Sequence, residues 1–90
     1  MNKDDLAVYR NAIEEFCYDM LTSTTKSADY STEYYKMELA KRRATNQDFR
    51  IMASIFADIM SKELMKGKII NDKEKLTRDC LAKAWKKYNK

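Results

Sequence analysis

The chain is 90 residues long with a net charge of +4, and it contains one glycine, no proline and no histidine. Such a length supports a single core, and the shortage of turn formers argues against a β fold, whose tight turns need Gly, Pro and Asn. Without histidine the commonest general base and metal ligand is missing, and Gly67 alone cannot build a phosphate-cradling loop, so catalysis and nucleotide hydrolysis are both disfavoured.

A first helix is expected from about Asp4 to Leu21, where Leu6, Tyr9, Ile13, Phe16, Cys17, Met20 and Leu21 fall within an arc of about 140° at 100° per residue. Asn2 is placed to cap it, and Asp4 and Asp5 suit the positive end of its dipole. The run 22–27, TSTTKS, offers the backbone competing side-chain hydrogen bonds and no apolar period, and reads as a loop. A second helix is expected from Ser31 as N-cap, with Tyr30 and Tyr35 as a hydrophobic staple, to about Ala44.

Thr45 and Asn46, with Asp48 in capping-box position and Ala44 paired with Phe49, signal a third helix from about Gln47 to Lys66. Nothing between Ser31 and Lys66 forbids continuous helix, so one long helix in place of the second and third is an alternative. The third segment is the most apolar, through Phe49, Met52, Ala53, Ile55, Phe56, Ile59, Met60 and Leu64, an arc wide enough to meet more than one neighbour. Gly67 is the expected stop. Asn71, with Glu74 three residues on, reads as the cap of a last helix ending near Tyr88, its apolar side carrying Leu76, Cys80, Leu81, Ala84, Trp85 and Tyr88, and Ile69 and Ile70 are expected to pin the connection to the core.

The expected class is therefore all-α: one helical domain over residues 1–90, a small bundle of about four helices that a second copy can complete. No run approaches the roughly twenty apolar residues of a membrane span, and the opening MNKDD lacks a secretory pattern, so a cytoplasmic protein with no membrane partner is expected. Cys17 and Cys80 lie within apolar stripes and are expected to be buried, reduced thiols. No cofactor, metal or small-molecule substrate is implied.

Surface chemistry points to binding. Six tyrosines, one tryptophan and six methionines exceed what so small a core needs, and these types are enriched in protein interfaces. The principal reading is a non-catalytic protein acting through protein–protein contacts as an adaptor, inhibitor or accessory regulator, as a homodimer, with Tyr34, Tyr35, Arg43, Arg50, Glu63 and Trp85 as contact candidates. Glu63 is singled out because it projects into the third helix's apolar arc, where a carboxylate needs a lysine, solvent or a partner.

The alternative reading is an accessory nucleic-acid-binding protein. Residues 1–30 carry three basic and six acidic side chains, whereas 71–90 carry seven and three. Lys75, Lys83, Lys86 and Lys90 project on one face of the last helix, opposite its apolar side. Lys36, Arg43 and Arg50, spaced by seven, align if the second and third helices are continuous, with Lys41 and Arg42 beside them, and such stripes can track phosphates.

Overall fold

The computed structural model describes residues 3–27, 29–66 and 72–90. They form four helices: α1 (Lys3–Thr22), α2 (Tyr30–Lys41), α3 (Asn46–Met65) and α4 (Lys73–Tyr88). The all-α expectation holds. The expected roles of Asn2, Gly67, Ile69, Ile70 and Asn71 fall outside the described residues.

The boundaries follow local chemistry, with corrections at two helix starts, and α2 ends at Lys41 rather than near Ala44. Asp29, not Ser31, caps α2: its carboxylate accepts from Ser31 N at 3.0 Å and from Thr32 Oγ1 at 3.2 Å, so Ser31 is already inside the helix. Asp72 caps α4, accepting from Lys75 N at 3.0 Å, where Asn71 had been expected to serve. In both places a carboxylate stands beside a neutral cap candidate and adds a favourable interaction with the helix dipole. The Thr45–Asp48 capping box of α3 forms as expected, with Thr45 N donating to Asp48 Oδ2 at 2.7 Å and Asp48 N to Thr45 Oγ1 at 3.3 Å.

α2 and α3 are separate helices, which removes the continuous alternative. Arg43 takes a left-handed conformation (φ 54), Arg43 N bonds Ala40 O at 3.0 Å, and Ala44 N bonds Leu39 O at 3.0 Å. This is a Schellman ending, in which the last carbonyls are satisfied by a chain reversal, with arginine where glycine is usual. The alignment of Lys36, Arg43 and Arg50 on one helical face is lost with it.

α3 is the central element, packing on α1 and α4 through opposite sides of its wide apolar arc. Cys17 and Leu21 from α1, Leu39 from α2, Met52, Ala53, Phe56 and Met60 from α3, and Cys80, Leu81 and Ala84 from α4 form one buried cluster. Both cysteines are buried inside it and form no disulfide. Among the described residues no helix is long and apolar enough to cross a membrane.

α2 is the exception in this packing. At 12 residues it spans about 18 Å, against about 30 Å for the 20-residue α1 and α3. It meets α1 near the latter's end, where Thr32 Oγ1 lies 3.4 Å from Met20 Sδ. The trough that α1, α3 and α4 form together is longer than the helix available to roof it.

Candidate protein-docking groove

The part of the trough that the described residues leave open is a groove of about 350 Å³. Its walls are Tyr9, Ala12, Ile13 and Phe16 of α1 and Lys73, Leu76 and Thr77 of α4, and its floor is Phe56, Met60 and Leu64 of α3. No lining residue comes from α2. Phe16, on the rim, keeps 64% of its surface in water, and Val8, one turn from Ala12 on the outer side of α1, keeps 71%. The sequence places Tyr9 and Phe16 within the apolar arc of α1. They lie at one edge of the apolar arc of α1, and the helix that would cover that edge is too short.

Charge around this surface is uneven. The exposed acidic side chains of α1 are Asp4, Asp5, Glu15 and Asp19. Of the two basic residues of α1, Lys3 and Arg10, Arg10 is turned inward: Nε meets Asp58 Oδ1 at 2.7 Å, one terminal nitrogen meets Glu14 Oε1 at 2.6 Å, and the other donates to Ser54 Oγ at 2.6 Å and Ser54 O at 3.1 Å. Asp58 is the main reason its guanidinium is held above the ordinary arginine range. Ala12 and Phe16 are thus bordered on α1 by carboxylates, and only Lys73 among the lining residues is cationic.

The aromatic candidates assemble elsewhere. Tyr34 and Tyr35 meet edge to face at 5.2 Å between centroids, Tyr35 lies 5.3 Å from Trp85, and Trp85 stacks on Tyr88 at 5.8 Å. The Arg42 guanidinium sits 4.6 Å above the Trp85 ring and donates to Asn89 Oδ1. Tyr35, Trp85 and Tyr88 are half-buried in this ladder, which fastens α2 to α4, and burial raises the hydroxyl pKa of Tyr35 and Tyr88. Tyr34 is the exposed member, with Tyr30 and Met37 on the same outer stripe of α2.

Other candidates divide by partner. Arg50 lies 3.8 Å over the Tyr18 ring and pairs with Glu15 at 2.6 Å and Glu14 at 3.6 Å, joining α3 to α1. Lys36 donates to Thr25 O at 3.0 Å and pairs with Glu33 at 3.3 Å, and Lys41 pairs with Glu38 at 3.3 Å. Buried Glu63 lies 3.5 Å from Lys66 Nζ and 4.0 Å from Lys83 Nζ, the lysine contact its position called for. Arg43 is exposed at the α2–α3 corner, Lys75 and Lys86 are exposed on α4, and Lys90 is exposed just beyond its end.

With this geometry in place, no protein-family model, curated protein or solved structure matches the chain, so its surfaces are the basis for any functional reading.

Proposed function

We propose that the protein is a non-catalytic cytoplasmic docking module, an adaptor, inhibitor or accessory regulator, that takes an apolar helix of a protein partner into the α1–α3–α4 groove and is itself a homodimer. The observation that supports this most directly is the trough that the described residues leave open, with Phe16 exposed on its rim and Phe56, Met60 and Leu64 on its floor. A gap left by a short helix in a bundle has the cross-section of a helix, and laying an amphipathic helix in it completes the packing. The carboxylates along α1 favour an occupant with lysine or arginine beside its apolar face.

A titration with fluorescently labelled amphipathic helical peptides tests this, one flanked by Lys and one by Glu around the same leucine face. The Lys-flanked peptide is expected to bind more tightly, and Ala12→Arg, which fills the groove from an exposed position, is expected to abolish binding. Failure of both peptides to bind, together with an unchanged set of proteins captured from extract by Ala12→Arg, counts against the groove as a docking site.

The second reading is nucleic-acid binding, favoured by one contact. The Arg42–Asn89 hydrogen bond brings the basic α2–α3 corner, with Arg43, against the end of α4, which carries Lys86 and is followed by Lys90. Phosphate binding there must weaken steeply with salt. A shift assay at low salt that shows no complex with DNA or RNA ends this reading.

A further inference from the structure

We propose that the outer stripe of α2 is a self-association surface, on which α2 of a second copy lies antiparallel. This rests on the homodimer reading above but not on the groove, from which α2 is absent. Tyr30, Tyr34 and Met37 are 85%, 48% and 58% exposed, and with Lys41 they follow a 4-3-4 spacing that sets all four on one narrow stripe. None of this exposure is needed for the internal ladder, since Tyr35 makes the contact with Trp85.

The stripe matches its own reverse. When two such helices run antiparallel about a two-fold axis midway between Tyr34 and Met37, Tyr34 meets Met37 of the second copy, and Tyr30 meets Lys41 of the second copy. The first is a sulfur–aromatic contact and the second a cation over an aromatic face, and the symmetry makes each twice. At the edges, Ser31 comes opposite Glu38 and Glu33 opposite Ala40, so no like charges face each other. A parallel arrangement sets Lys41 against Lys41 and, across the edges, Glu33 against Glu38. An α1–α1 pairing is poorer for the same reason: antiparallel about Ala12, it brings Asp5 against Asp19.

Four side chains from a 12-residue helix fall short of the roughly 800 Å² that each partner gives to a standard interface, so the dimer is expected to be weak and concentration-dependent. Sedimentation equilibrium of the full chain from about 10 µM to about 1 mM follows the rise of mass from 10.7 kDa toward twice that value. Tyr34→Glu and Met37→Glu are each expected to weaken association at least tenfold, with the helical circular dichroism unchanged. Tyr30→Ser, at the most exposed of these positions, is the milder variant should either glutamate disturb the fold, and a loss of about threefold is expected from removing an exposed cation–π pair.

The register is tested by combining Tyr34→Lys with Met37→Glu. Antiparallel pairing sets these opposite charges across the contact twice and restores association, whereas parallel pairing cannot. A strict monomer at the highest concentration, a dimer indifferent to the α2 substitutions, or a double variant that does not recover overturns the proposal. A dimer dissolved by Ala12→Arg instead assigns self-association to the groove, and a monomer that still binds the helical peptides leaves the docking function standing without it.

Discussion

Arg10 of α1 and Asp58 of α3, 48 positions apart in the chain, meet at 2.7 Å between Nε and Oδ1. The same guanidinium reaches Glu14 on its own helix and both oxygens of Ser54, so one planar side chain fastens two helices at three points. The side chains of Arg10 and Glu14 are 23% and 18% exposed, which keeps the pair less screened than surface ions.

Arg10→Met keeps the aliphatic stem and removes the charge. The expected cost is about 2 kcal/mol, in the range for hydrogen bonds to charged groups. Arg10→Lys is expected to recover less than half, because an ammonium cannot present the planar fork that these partners occupy. Urea unfolding checks both, as a lowered midpoint at constant m-value.

Arg43 carries a backbone cost at the α2–α3 corner, since a side chain with a Cβ disfavours φ near 54°. Arg43→Gly is expected to raise stability by up to about 1 kcal/mol, the relief of strain being partly offset by the entropy of glycine in the unfolded chain. Arg43→Val is expected to lower it by about 1 kcal/mol or more, because β-branching penalises this conformation further. Thermal unfolding of the three proteins gives the order Gly, Arg, Val. An unchanged melting temperature for Val would contradict the strain.

These two residues mark what was legible in the sequence. Period and capping chemistry located all four helices, and the Thr45–Asp48 box was readable because cap and partner sit three positions apart. Arg43 was not readable as a helix ending, because the signal for left-handed backbone is glycine and the chain puts arginine there. The groove was hidden for another reason. Apolar period shows which side of α1 turns inward, but burial of Phe16 depends on the length of α2, and a helix's reach over its neighbours is a property of packing. Arg10, placed among the acids of α1, had no local signal of its partner on α3.

Cys17 and Cys80 are enclosed, at 0% and 1% exposure. Burial, with a smaller contribution from Glu14, pushes the Cys17 thiol up to about 12, so almost none of it is thiolate at neutral pH. Alkylation of the folded protein at pH 8 is expected to be slow at both positions and fast after unfolding. Rapid modification of Cys17 under native conditions would place it outside the core and contradict the α1–α3 packing.

Stability should also fall on acidification, and the sign can be worked out from two carboxylates. Asp48 is held below its ordinary value chiefly by the Thr45 backbone amide, and Glu33 chiefly by the Ser27 backbone amide, with Lys36 adding to it. A carboxylate with a depressed folded pKa releases its proton more readily in the folded than in the unfolded chain, so its contribution is fully present above the unfolded value, near 4. It is lost as pH falls from there through the lower folded pKa. Both groups cap or brace a helix start, Asp48 in the α3 box and Glu33 in the first turn of α2, where it accepts from Ser27 of the loop, so protonation should loosen these ends first. Urea midpoints measured from pH 7 to pH 3 are expected to hold down to about pH 5 and then decline. Asp48→Asn and Glu33→Gln should each start from lower stability at pH 7 and decline less steeply below pH 4, because the group that takes up the proton is gone. Equal slopes in the wild type and both variants would assign the acid loss to other carboxylates.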